Sequence, residues 1–398
     1  MVKADASTFV RSLTFPIYGL VDALHKPGSK NIVVPVTLFY AFVGLFSIYD
    51  GTGIDTERYA MYFLSACSFD GGYWSYHTSL AISNQIDFYT SFMTWFFSRF
   101  ITSPHLFIAI LSGVNGLFFS FNIKYILKNV NINRNTTILI ILLILIPQAV
   151  FFPHRWWTAM QVFFFGVLPF VITGTKKYFW VSVASIFVHF SFLYIVILFL
   201  GYIFMPKKRL LLFLLLFIFT ALLDDFDFNL ITPYVERYFS EAQTERTIMY
   251  VGWTNGEKNF LSQSAYLFFK LSSIILFVNI YLKTNWKEKK KLQEGFIFVL
   301  LFASVTQILS LSPVGVRFKD FTNIIITVFL LLYFSNNKCP HIELIFRYCT
   351  PVFIYYIIYQ IRGVLDCIGP GALVFGNFFD FFLIDETTSV LGYIKQLF

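Results

Sequence analysis

Apolar residues run along this chain in long unbroken stretches, separated by short clusters of lysine, arginine, glycine and proline, with no sustained alternation of the kind a half-buried strand needs. Eleven stretches stand out: 31–49, 104–124, 136–152, 156–173, 178–189, 190–205, 209–223, 262–282, 296–311, 318–334 and 342–361. About 20 apolar residues cross a bilayer as a helix, and fewer suffice where helices are paired or broken. A chain inside lipid must satisfy its own backbone, so runs of this kind become helices. The expected fold is all-α, a polytopic transmembrane helical bundle of about 11–12 spans forming a single integral membrane domain over 1–398, with two long outer loops containing short helices. The segment after 362 is the candidate twelfth span; Asp380, Asp385 and Glu386 would be expensive in lipid and favour an outer surface position.

Two choices in this threading are not obvious. The run 87–101 (DFYTSFMTWFFSRFI) is apolar but short and rich in Ser, Thr and aromatics, which suits an interfacial or re-entrant helix. The run 178–205 is too long for one span and is interrupted by His189 and Ser191, so it is divided into two short helices.

Charge tests both choices together, because short cytoplasmic loops collect lysine and arginine. With the N-terminus inside, eighteen of the thirty basic residues fall inside and nine outside. Calling 87–101 a full crossing, or 178–205 a single one, throws several lysine clusters to the outer side. Of the inner eighteen, fifteen are lysine; of the outer nine, seven are arginine. Insertion is served equally by either cation, whereas a planar fork suits bidentate binding of phosphate or diphosphate. Chance remains the plain alternative for so few residues.

Composition closes off other classes. With 57% hydrophobic and 13% charged residues and a mean hydropathy of +0.68, the chain is unlike a water-soluble domain of this length. The net charge of +8 is scattered between apolar runs, a topology signal and not a nucleic-acid footprint. Residues 1–30 hold no continuous apolar core of a cleaved signal, so insertion is expected to begin with the first span. Cys67, Cys339, Cys349 and Cys367 show no metal-ligand or disulfide spacing, and no carboxylate pattern compels a metal, so no metal and no cofactor are expected.

The chemistry should then sit in the outer segments. The loops 50–103 and 224–261 interleave Trp and Tyr with Asp, Glu, Asn and Gln, the mixture that stacks on sugar rings and bonds their hydroxyls, although interfacial anchors look similar. Arg155 (in FFPHRWWTAM) and Arg317 (in SPVGVRFKD) occupy tight outer turns between apolar runs, and His189 interrupts another run. Ionisable groups at such depth usually face a wet cavity or a partner; a snorkelling arginine and a packed histidine are the plain alternatives.

The stretches GIDTERYAMYF, HRWWTAMQVFFFGVL, KKYFWVSVASIFVHFSFLYIVIL and VGVRFKDFTNIII, in that order over about 31–334, resemble the EpsG-like and Wzy-type family of O-antigen and exopolysaccharide repeat-unit polymerases. Members often carry Gln directly after the arginine, where this chain has Trp156 and Trp157. The resemblance implies a glycosyltransferase of GT-C-like architecture in the bacterial inner membrane, its N-terminus cytoplasmic and its active site periplasmic. It would move the growing glycan from undecaprenyl diphosphate to the non-reducing end of a new undecaprenyl-diphosphate-linked repeat unit. A chain-length regulator (a polysaccharide co-polymerase) and a flippase are the implied protein partners. A flippase of the same lipid-linked oligosaccharide, and an O-antigen ligase, are the competing readings. No internal repeat favours the flippase.

Breaking a sugar–diphosphate bond builds negative charge on the leaving group, which fixed guanidinium groups stabilise where water is excluded. Arg155 and Arg317 are therefore the expected diphosphate clamp. Asp55 and His189 are the candidate general bases for the acceptor hydroxyl, with Glu236 behind them. Arg58 and Arg237 are secondary anion contacts, and Tyr59 and Tyr238 are candidates to position sugar or phosphate.

Overall fold

The computed structural model describes residues 6–25, 32–48, 55–82, 87–144, 155–223, 260–311, 317–364, 368 and 376–382. Among these the protein is helical, with sixteen α-helices and no strand beyond a single bridge between Ser47 and Ile368. The helices are α1 (Ala6–Thr14), α2 (Pro16–His25), α3 (Val33–Leu45), α4 (Asp55–Cys67), α5 (Tyr73–Ile82), α6 (Phe88–Phe97), α7 (Pro104–Asn129), α8 (Arg134–Ile144), α9 (Arg155–Thr173) and α10 (Phe179–Val188). They continue with α11 (Phe192–Phe204), α12 (Leu210–Leu222), α13 (Phe260–Lys283), α14 (Lys290–Leu309), α15 (Arg317–Asn336) and α16 (Pro340–Val364). Five of them contain stretches long and apolar enough to cross a membrane: Pro104–Asn129, Arg155–Thr173, Gln263–Lys283, Lys290–Leu309 and Pro340–Gln360. Six shorter apolar helices account for the remaining runs in the sequence.

Both contested choices match the helix boundaries. The run 178–205 is broken at His189–Ser191, where His189 takes an extended conformation (φ −150°, ψ 119°). The run 87–101 yields only the ten-residue α6. That helix is built inside out: Thr90, Ser91 and Thr94 are buried, whereas Phe88, Phe92 and Phe96, four residues apart, are exposed. An outward phenylalanine stripe over a buried polar face is what an interfacial helix presents to lipid. Residues 1–30, which the sequence reading leaves without an element, hold α1 and α2, and these pack on α3.

The chain divides into two compact units, 1–129 with 144–197 and 360–398, and 130–143 with 198–359. In the first, α3 and α7 approach closely because each presents glycine to the other. A Cβ on Gly44 would lie 2.3 Å from Ser112 Oγ, and one on Gly116 would lie 2.5 Å from Tyr40 Cβ. Small residues of this kind are what allow apolar helices to approach backbone to backbone. Asn122 of α7 donates from Nδ2 to both the carbonyl (2.9 Å) and Oε1 (3.0 Å) of Gln161 on α9, so a buried polar pair is satisfied internally. Helix α9 ends at Gly174, whose φ of +78° is the left-handed conformation that only glycine takes cheaply.

In the second unit, α12, α14 and α15 form the packed centre. Thr220 donates to Gln307 Oε1 (2.8 Å). Phe277, Phe296 and Phe329 interlock with ring centroids 4.8–5.7 Å apart.

Cross-chain contacts join segments that the charge pattern assigns to the same side. Among the segments that the lysine pattern reads as inner, Tyr125 Oη meets Thr173 Oγ1 (2.9 Å), the Asn131 N–H donates to Ser335 Oγ (2.7 Å), and Lys289 bonds Asn337. Among those it reads as outer, Ser264 meets Tyr355 (3.0 Å). One contact departs from this: α1 touches the 3-10 turn Phe378–Phe382, although the sequence puts the two on opposite sides. Helix α1 exposes Phe9 and Val10 and lies along the apolar α3, so lysine counting alone does not set its depth.

Candidate functional site

The first long loop is folded as a small helical assembly in its own right. Arg99 donates from Nη2 to the carbonyls of Ala66 (2.9 Å) and Phe69 (2.6 Å), capping the end of α4. Trp95 Nε1 donates to the Gly71 carbonyl (3.1 Å) and Tyr76 Oη to that of Tyr62 (3.0 Å). Burial pushes the Tyr76 hydroxyl and the Cys67 thiol above their ordinary pKa values. Arg99, one of the arginines that the charge pattern assigns to the outer side, is thus spent on backbone carbonyls.

Tyr59 lies in the core that fastens α4 to α7, with Phe63, Met93, Phe107 and Leu111. Phe63 and Phe107 stack at 4.4 Å. Arg58, its neighbour, is exposed. Asp55 opens α4, and its side chain lies outside the described residues. Glu236, Arg237 and Tyr238 also lie outside them.

Arg155 is the first residue of α9. Its guanidinium Nη1 lies 2.6 Å from Asp87 Oδ2, with side-chain exposures of 22% for the arginine and 6% for the aspartate. Asp87 precedes the first residue of α6, and its other oxygen, Oδ1, accepts the backbone N–H of Phe190 at 2.8 Å. The next N–H, of Ser191, donates to His189 Nδ1 at 3.2 Å. A helix break beside lipid leaves backbone donors that water cannot serve. Here the break between α10 and α11 is closed by two side chains, Asp87 and His189. Since Nδ1 accepts from a backbone amide, the neutral ring carries its proton on Nε2.

Three segments far apart in sequence therefore meet at one aspartate. Burial raises the Asp87 pKa and is the largest influence on it; Arg155 and the Phe190 N–H pull it back down without cancelling that effect. Close by, Thr158, one turn on from Arg155, and Tyr89, two residues after Asp87, bury their hydroxyls side by side. Burial pushes the Tyr89 hydroxyl upward, with Thr158 beside it.

Sequence reasoning passed over Asp87. The signal was available as a lone carboxylate at the polar start of an otherwise apolar aromatic helix, but only the fold supplies its partner.

Arg317 is likewise the first residue of its helix, α15, in the second unit. One turn on, Asp320 is 6% exposed, and its Oδ1 accepts the Tyr356 hydroxyl at 3.0 Å. Tyr356 in turn accepts from Asn323 Nδ2 at 2.6 Å. Both sequence-derived arginines thus stand where the described part of their helix begins. Among the described residues no group of three or more His, Cys, Asp or Glu side chains is placed to hold a metal ion.

A family model described as EpsG family matches residues 32–368. The chain belongs to the EpsG family. No curated protein and no solved structure matches it. Membership makes this a membrane-embedded polysaccharide polymerase, glycosyltransferase-like in its activity. The matched region of this EpsG protein includes Asp55, Arg58, Tyr59, Asp87, Arg155, His189 and Arg317, and so both partners of the Asp87–Arg155 contact.

Proposed function

We propose that this EpsG protein polymerises lipid-linked repeat units of O-antigen or a related surface polysaccharide at the periplasmic face of the bacterial inner membrane. The growing glycan leaves undecaprenyl diphosphate and is joined to the non-reducing end of the next undecaprenyl-diphosphate-linked unit. The observation that carries the chemistry is Arg155, half-buried at the start of α9 and fixed by a carboxylate where three segments meet. A fixed guanidinium in a partly dry place stabilises charge as it develops on the leaving diphosphate. Arg317 carries the same assignment from its own helix start. Arg58 and Arg237 are supporting anion contacts, and Glu236 and Tyr238 belong to the sugar-binding side; Tyr59, buried in the α4–α7 core, holds α4 and with it Arg58 in place. Asp55 and His189 are both carried forward as candidate bases for the acceptor hydroxyl. The polymerase works beside a flippase that delivers its substrate and a regulator of chain length.

The test is to give the purified protein synthetic undecaprenyl-diphosphate repeat units. A ladder of longer saccharides with release of the lipid diphosphate is expected. Units that cross the bilayer without elongating would identify a flippase, and transfer only to lipid A core a ligase. Arg155→Ala and Arg317→Ala are expected to insert normally and to lose about a hundredfold or more in rate, the scale for removing one preorganised contact to a developing oxyanion. Full elongation by both variants would remove these residues from the mechanism.

A further inference from the structure

We propose that Asp87 is a positioning residue that aims the Arg155 guanidinium and holds it in competition with the incoming anion. This rests on the assignment of Arg155 to the diphosphate. The geometry is specific. One carboxylate oxygen takes the Arg155 Nη1 at 2.6 Å, and the other is committed to the Phe190 amide at 2.8 Å. Asp87 therefore cannot swing with the arginine: its second oxygen is tied to the backbone at the break between α10 and α11. The guanidinium is a planar fork with donors beyond the one given to Asp87, and fixing Nη1 fixes the direction of the others. An arginine on a long flexible stem, without such an anchor, would lose that direction.

The same contact has an opposing effect. Asp87 carries the charge the anion carries, so in the resting state it occupies the fork that the diphosphate needs. Neutralising it should help a phosphate to bind and harm the step that follows. That divergence separates positioning from mere structural support, which would weaken both. No bond is made or broken by Asp87 in this role.

The experiment uses the full-length protein in nanodiscs, with inorganic pyrophosphate as the binding probe by calorimetry and lipid-diphosphate-linked oligosaccharide for turnover. Asp87→Asn keeps an oxygen for the Phe190 amide but gives the arginine no anion. It is expected to bind pyrophosphate several-fold more tightly, while kcat falls about tenfold or more and KM does not rise, the pattern of an interaction lost in the transition state and not in the ground state. Asp87→Glu keeps the charge and shifts it by a methylene; it should show no gain in affinity and a lowered kcat. Weaker or unchanged pyrophosphate binding, or wild-type turnover, in Asp87→Asn overturns the proposal. Should that variant fail to fold, wild-type turnover in Asp87→Glu overturns it equally. The two readings fail separately. A wild-type protein that binds pyrophosphate, with the Asn variant tighter, yet never elongates saccharide defeats the polymerase assignment and leaves Asp87 as the competitor for Arg155. Normal elongation by wild type and both variants defeats the role of Asp87 alone.

Discussion

Removing Arg155 should destabilise the protein more than removing the charge of Asp87, although the two groups share one contact. The asymmetry follows from burial: Asp87 retains 6% of its side-chain exposure and Arg155 22%. Breaking a buried pair by deleting one partner costs about 3–5 kcal/mol, because the other charge is stranded. Arg155→Met strands the deeper group. The cost falls at the lower end, about 3 kcal/mol, because a stranded Asp87 can take a proton, which its raised pKa already favours. Asp87→Asn strands an arginine that can still reach water and keeps an acceptor for the Phe190 amide, so about 1 kcal/mol is expected, the scale of one hydrogen bond. The double variant carries neither charge and should cost less than the sum, by about 1–2 kcal/mol of coupling. Thermal unfolding of the purified protein, followed by monodispersity after heating, reads this out. At about 2 °C per kcal/mol, the low end of the slope for somewhat shorter chains, Tm should fall by roughly 6 °C for Arg155→Met, 2 °C for Asp87→Asn and 4–6 °C for both. Equal losses in the two single variants, adding fully in the double, would refute the stranded-charge reasoning.

Two further outcomes follow from the coordinates. Gly44→Ala places a Cβ 2.8 Å from the Ile108 carbonyl, which cannot give way, so α3 and α7 must separate at about 1–3 kcal/mol; Gly113→Ala, whose Cβ meets Ala41 at 3.4 Å, is the control, and heat resistance equal in the two variants would contradict the close approach. The pH dependence of stability should carry a signature of Asp87, since a carboxyl whose folded pKa is raised contributes stability below its unfolded value, about 3.9, and loses it as pH rises through the folded value. Arg155 and His189 face the same carboxylate neighbourhood, so the comparison is made against Asp87→Asn: wild type should lose Tm relative to that variant as pH is raised from about 4, and parallel curves would count against it.

The apolar runs determined most of this fold by themselves. Eleven runs became eleven apolar helices, the interruption at His189 became a break, and 87–101 became a short helix and not a span, because a chain in lipid has almost no choice but to pair its backbone locally. Lysine placement sorted the helix ends into two sets; the contacts Tyr125–Thr173 and Asn131–Ser335 fall within one set, whereas that of α1 with Phe378–Phe382 crosses between them. The sequence also singled out Arg155 and Arg317, since guanidinium is conspicuous between apolar runs, and the fold shows both as first residues of helices. It did not reveal α1 and α2, whose residues are only half apolar and are held by packing on α3. Nor did it reveal Asp87. A carboxylate among aromatics carries no mark of its partner, and Arg155 lies 68 positions further along the chain. Periodicity and charge are local and can be read along a line; which cation meets which anion is settled only when distant segments are brought within a few ångströms, where burial turns an ordinary acid into the anchor of an arginine.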